Sequence, residues 1–320
     1  MGRCDFCRSD NVATVDPDAL TDLFELTKDT FILDEEGERP SVLYAREFRI
    51  LSEKVRAPDK LWDALLGEEF NSKRYRLPDE VVDNKRLWLN FKEELIFHNR
   101  YFPQNNAFQG LFSVEGKSEE FYLFASLVAQ MDMVVSAGDS FFRARISDAE
   151  MTSDSMGKPP RDAATGGRAN PPGISYLYVS DQLEASVNEV RPSIGSKVWV
   201  AEYVAAEDLR IIDLTDPKLK GSVLRFEESE IKYVLKYLGL LELFSNDLSK
   251  PVLPHRSHLE YVPTQYICEF LKNVTKSDGI RFSSSFGCGR NLVLFDDAKL
   301  SVQHPRSFLV ENTRVMFSPA

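Results

Sequence analysis

Between residue 17 and about residue 136, apolar side chains recur at helical spacing. Leu20, Leu23, Phe24 and Leu26 open one amphipathic segment after Asp18, and others run from Ile50-Leu51 to Leu65-Leu66. Leu89 to Phe97 and Glu119 to Val135 continue the pattern. Near residue 138 the period changes. Phe141 to Ile146 reads as a strand, and short β-like runs follow at Tyr176–Ser180, Lys197–Tyr203, Arg210–Leu214, Gly279–Ser283 and Asn291–Phe295. Helices are expected at about 181–190, 226–245 and 262–274. Strands and helices do not alternate regularly, so the expected class is α+β and not a doubly wound sheet. A chain of 320 residues exceeds one average domain. The change of texture puts a mainly helical domain at 1–136 and a second domain at 137–320.

The most informative stretch begins inside a long loop. Residues 154–173 hold eight Gly or Pro in twenty positions, and a loop of that length in a compact domain is either functional or disordered. Gly166-Gly167-Arg168 lies in it, Tyr178 follows on a strand, and Glu189 follows on a helix. An arginine can hold a phosphate, a tyrosine can stack on a flat ring, and a carboxylate can stabilise a developing positive charge. Together they suit an enzyme that cuts or transfers the ADP-ribose part of a dinucleotide. There is no G-x-G-x-x-G after a strand and no P-loop, so the expected site is not a Rossmann crevice.

The bulk properties remove several alternatives. A formal charge of -11 argues against non-specific nucleic-acid binding, which needs clustered Lys and Arg. No apolar run approaches bilayer length, and even Phe121 to Val135 is broken by Gln130 and Asp132. The N-terminus has no secretory pattern, and Phe6 breaks the myristoylation pattern. A cytoplasmic protein with no membrane partner is expected. Cys4 and Cys7 form a lone C-x-x-C, half of a zinc-ribbon knuckle. A tetrahedral zinc site needs two more ligands, for which His255 and His258 are the nominees; the alternative is a free cysteine pair. Cys268 and Cys288 read as buried small residues.

Several ordered blocks of residues 138–300 resemble the RES family, named for an arginine, a glutamate and a serine. They are Phe142-Arg143, Gly167-Arg168, Leu177-Tyr178, Glu189-Val190-Arg191, Ile211 to Thr215, Tyr261 to Phe270, Gly279 to Ser284 and Asn291 to Phe295. The separations of Arg168, Tyr178 and Glu189, ten and eleven residues, fit the family's spacing. The helical N-terminal region resembles the HEPN-like extension of longer members. HEPN ribonucleases carry an arginine and then a histidine on one helix. Here Arg100 follows His98, so a scaffold or specificity role is expected in place of nuclease activity.

The resemblance implies a fold similar to ADP-ribosyltransferase toxins, with a split, mostly antiparallel sheet. It implies consumption of NAD+, by splitting off nicotinamide with inorganic phosphate or water. The alternatives are transfer of ADP-ribose to a protein, or binding without turnover. NAD+ would be a substrate, with no cofactor, and the partner would be an antitoxin carrying an Xre-like DNA-binding domain. The implied catalytic set is Arg168, Tyr178, Glu189 and Ser283, with Arg143, Gly167, Ser284 and Asn291 binding substrate.

Read without the family, each residue has a plainer alternative. Leu183, Val187 and Val190 form the apolar stripe of the predicted helix and Glu189 lies off it, as a solvated residue also would. Arg168 is either a phosphate ligand or a mobile surface arginine. Tyr176 and Tyr178 share a strand, and one of the two is expected to face the cleft. Ser283 is expected to hydrogen-bond substrate, while a one-residue slip would substitute Ser284 or Ser285. Arg143 either holds the pyrophosphate or pairs with a core carboxylate such as Asp213. Gln265 and Glu269 read as structural.

Overall fold

The computed structural model describes residues 2–51, 54–104, 108, 110–112, 118–286 and 289–313. The chain forms two units that interleave in sequence. The first comprises Met1–Glu94, Tyr101–Gln130 and Asp216–Leu243; the second comprises Leu95–Arg100, Met131–Thr215 and Phe244–Ala320. A single cut after residue 136 would have assigned Asp216–Leu243 to the second unit. Its packing explains the difference: Tyr237 meets Phe124 edge-on at 5.6 Å, and the bare Gly239 admits the Asn84 side chain. The Lys218 ammonium, only 9% exposed, is held by Glu47 and Glu242 at 3.2 Å each, the pairing that a buried cation requires.

The first unit is mainly helical, with Pro58–Leu66, Asn84–Glu93 and Glu119–Ala129 its longest segments wholly within the unit. Its aromatic core stacks Tyr44 on Trp62 at 4.0 Å, with Phe24 edge-on to Trp62. A small antiparallel pair, β1 (Ile32–Glu38) and β2 (Tyr75–Arg76), interrupts the helices.

Among the described residues the second unit is built on nine strands: β3 (Asp132–Val135), β4 (Ser140–Ile146), β5 (Leu177–Ser180), β6 (Lys197–Ala205), β7 (Leu209–Asp213), β8 (Gly279–Ser283), β9 (Arg290–Leu294), β10 (Leu300–Val302) and β11 (Arg306–Leu309). Their order is β10-β6-β4-β5-β9-β8-β7-β3, with β11 also on β6. Every pairing is antiparallel except β7 with β8. The fold is therefore α+β with a mostly antiparallel sheet. The helical reading of Glu119 to Val135 is corrected at its end. The helix stops at Ala129, and Met131 and Val135 are buried while Asp132 and Val134 are exposed, a period of two that pairs β3 with β7.

The split in the sheet is located by register. β4 pairs with β6 along its whole length but meets β5 at a single position, Phe142 opposite Ser180. β5 continues onto β9 through four pairs. The gap between β4 and β5 is where a ligand can approach strand side chains without displacing a ladder. The helix Leu183–Glu189 packs Leu183 and Val187, with Val190 just beyond it, against Ala144, Val198 and Val200, a core that Phe142 also covers.

β8 is a central strand, and Gly279 there is a packing requirement. An added Cβ would lie 2.4 Å from the Val293 carbonyl oxygen and 2.9 Å from Leu294 Cδ2. Gly279→Ala is expected to lower stability by about 1–3 kcal/mol, measured by chemical denaturation. An unchanged midpoint would contradict this packing.

Candidate active site

Glu189 ends its helix, and its carboxylate is held at both oxygens. Oε1 accepts from Asn291 Nδ2 at 2.5 Å and from Ser284 Oγ at 3.2 Å, and Oε2 lies 3.9 Å from the Arg168 guanidinium. Asn291 is fixed in turn: its Oδ1 accepts from Ser180 Oγ at 2.6 Å. Asp181 clamps the two segments, donating N–H to the Arg290 carbonyl and accepting from the Arg290 N–H at 2.6 Å.

The loop bearing Arg168 is held largely by side chains, which stand in for a backbone ladder. Asn170 donates to the carbonyls of Thr165, Pro171 and Ile174. Tyr178 Oη donates to Asn170 Oδ1 at 2.7 Å and accepts from the Ala169 N–H at 3.0 Å. Burial pushes the Tyr178 hydroxyl well above its ordinary pKa, so it stays protonated and able to donate. From the helix Val262–Thr275, Thr264 donates to the Arg168 carbonyl and Gln265 to the carbonyls of Gly167 and Asn170. Gly167 must be glycine here: an added Cβ would stand 2.5 Å from Asn170 Oδ1 and 2.6 Å from Tyr178 Oη.

The Arg168 side chain is not a free phosphate ligand in this conformation. Its NH1 donates to the carbonyls of Leu248 and Ser249 at 3.1 and 3.0 Å, at the end of the helix Ile231–Ser249. Those are the unsatisfied acceptors at the negative end of the helix dipole. Arg168 thereby links a helix terminus to the Glu189 carboxylate.

Arg143 is a second arginine on this wall, with no carboxylate partner among the described residues. Its NH1 donates to the Tyr178 carbonyl at 2.9 Å, bridging the strands where their ladder stops, while its Nε has no partner among the described residues. Burial, helped by the neighbouring Arg145, brings its pKa down to about 10, which leaves it charged at neutral pH. The pairing with Asp213 is not formed, because Asp213 ion-pairs with Arg281.

These residues line a cavity of about 380 Å3, within the range of small-molecule sites. Arg143, Gly167, Arg168, Tyr178, Glu189 and Asn291 all contribute to its wall, with Phe142 and Phe282 supplying apolar surface. Ser284 joins through Glu189. Ser283 does not: it shares its side of β8 with Arg281, while Phe282 faces the cavity, so strand parity turns Ser284 inward. Of Tyr176 and Tyr178, the second lines this cavity and the first does not, but alternation along the strand is not the reason. Residues two apart share a face, and position along the strand separates them: Tyr176 packs on Phe295 at 5.0 Å with Lys272 over its ring. Tyr176 lines a second cavity of about 870 Å3 at that end, which contains none of the predicted site residues.

Asn170, Ser180, Thr264 and Gln265 were not foreseen as site residues. Asn170 alone carried a local signal, an Asn among Gly and Pro, which is turn chemistry. Cys4 and Cys7 are partly exposed, with the Cys7 N–H directed at Cys4 Sγ at 3.4 Å. Hydrogen bonds from Ser9, then from Cys4, bring the Cys7 thiol down to about 7. Among the described residues no three His, Cys, Asp or Glu side chains gather to hold a metal. Cys268 is buried, and Cys288 lies outside the described residues. Among the described residues no helix is long and apolar enough to cross a membrane.

A glutamate, an asparagine and a half-buried arginine thus line one cavity in a split, mostly antiparallel sheet. The RES domain family model matches residues 140–316, more than half of the chain, and the chain belongs to the RES family. Among solved structures, the MbcT–MbcA toxin–antitoxin complex of M. tuberculosis is similar at 14% identity and a TM-score of 0.37, covering 58% of this chain and 92% of that one. No curated protein matches.

Tyr178→Phe removes a donor from Asn170 Oδ1 and an acceptor from the Ala169 N–H. A loss of about 1–3 kcal/mol is expected, with faster proteolysis of the 157–176 loop. A loop as resistant as in the wild type would contradict its dependence on this hydroxyl.

Proposed function

We propose that the protein degrades NAD+ by cleaving the bond between nicotinamide and ribose. The observation that carries this reading is the Glu189 carboxylate, held by Asn291 and Ser284 on the wall of a cavity that also presents the half-buried Arg143. Family membership supports the same substrate class.

The electron pair of the C1′–N bond leaves with nicotinamide, which departs neutral, and positive charge develops on the ribose. This is the oxocarbenium-like state that glycosidases stabilise with carboxylates. Glu189 accepts a hydrogen bond from a ribose hydroxyl and offsets that charge electrostatically. Arg143 takes the pyrophosphate, as a guanidinium on the cavity wall with no carboxylate partner among the described residues. Phe142, Phe282 and the Tyr178 ring exclude water from the reacting centre. Phosphate or water then attacks C1′ and loses a proton, giving a phosphorylated ADP-ribose or ADP-ribose. The step is redox-neutral.

Ser284 takes the hydrogen-bonding role first assigned to Ser283, and Arg168 orients Glu189. Depletion of NAD+ would make the protein a toxin, with an Xre-like antitoxin as its partner.

Purified protein incubated with NAD+, with and without phosphate, should release nicotinamide, followed by chromatography and mass. Phosphorylated ADP-ribose formed only with phosphate identifies a phosphorylase, and free ADP-ribose in either buffer a hydrolase. Glu189→Ala should lose about 100-fold or more of the rate while remaining folded. Intact NAD+ with wild-type protein, or full turnover by Glu189→Ala, would overturn the reading.

A further inference from the structure

The Glu189 carboxylate offers only acceptors, so the Asn291 atom facing it at 2.5 Å is the amide nitrogen. That orientation turns Asn291 Oδ1 the other way, into a buried position where it needs a donor. Ser180 Oγ supplies it at 2.6 Å. Ser180 and Asn291 are both buried and stand directly opposite each other on β5 and β9, where cross-strand side chains meet on one face. Ser180 is also the one residue of β5 that still pairs with β4, opposite Phe142. The hydroxyl therefore sits where the sheet parts, one residue behind the group that touches the carboxylate.

We propose that Ser180 is a positioning residue: it fixes the Asn291 amide so that its N–H is presented to Glu189 throughout the reaction. An asparagine side chain can exchange its two ends by rotation about its terminal torsion. Here one orientation satisfies both ends at once, donor to carboxylate and acceptor to hydroxyl. Remove the hydroxyl, and Oδ1 is buried without a donor in the orientation that Glu189 requires. The amide then rotates to recover a partner elsewhere, and Glu189 loses one of its two fixed donors. Ser284, at 3.2 Å, remains as the weaker of the two.

The kinetic part of the proposal rests on the NAD+-cleaving reading; the geometric part does not. Two variants separate the hydroxyl from the shape. Ser180→Cys keeps the size but offers a poor donor, and Ser180→Thr keeps the hydroxyl while placing its methyl at the cavity wall. Both are expected to fold, checked by melting midpoint. With NAD+ as substrate, Ser180→Cys should lower kcat by about tenfold, the scale of one weakened charge-assisted hydrogen bond, with little change in KM. Ser180→Thr should recover most of the loss. The side-chain amide resonances of Asn291, read by 15N-correlated NMR, should be sharp in wild type and in Ser180→Thr. In Ser180→Cys they should be shifted or broadened. Wild-type kcat together with wild-type Asn291 resonances in Ser180→Cys would overturn the proposal. If the wild-type protein leaves NAD+ intact, the functional reading fails, and the Asn291 resonances alone decide whether Ser180 anchors the amide.

Discussion

The hydrogen bond between Tyr178 and Asn170 is the constraint on which the site depends. A stretch rich in Gly and Pro has little ladder of its own, and its backbone polar groups must find partners or water. Asn170 takes three loop carbonyls, and Tyr178 fixes Asn170 to the sheet. The loop thereby becomes an extension of β5, with Arg168 held at a defined height beside Glu189. Because burial keeps the tyrosine protonated, this anchor does not titrate in the neutral range.

The same economy shapes the charges. Two arginines border the cavity, and their surroundings assign them different work. Arg168 satisfies helix-terminal carbonyls and leans on Glu189, which leaves it as an orienting group. Arg143 fills the place where β4 and β5 stop pairing and lacks a carboxylate among the described residues, which leaves it the cation available to an anionic ligand. A split sheet brings its own supply of unsatisfied backbone, and here an arginine both covers it and carries the charge.

Much of the second unit was legible because its strands are buried and short, with punctuation that matches their ends. Glu189 was legible through its distance from Arg168 and Tyr178, since its place off the apolar stripe alone also fits a solvated residue. What escaped was either parity or distance in sequence. Whether Ser283 or Ser284 faces inward depends on Arg281 meeting Asp213 across β7 and β8, which no local pattern encodes. β11 is exposed along its whole length and carries no alternation to read. Gln265 and Thr264 act on a loop nearly a hundred positions away. The helical segment Asp216–Leu243 belongs with the first unit through contacts such as Tyr237 with Phe124, which a linear cut cannot foresee.

The central claim is that the cavity beside Glu189 holds the nicotinamide ribose of NAD+. A crystal structure of Glu189→Gln with NAD+ bound tests it most directly, since the variant keeps the shape of the site and removes the charge. The account predicts the nicotinamide ribose against residue 189, with the pyrophosphate on Arg143. NAD+ seated in the other cavity, over Tyr176 and Lys272, would contradict it.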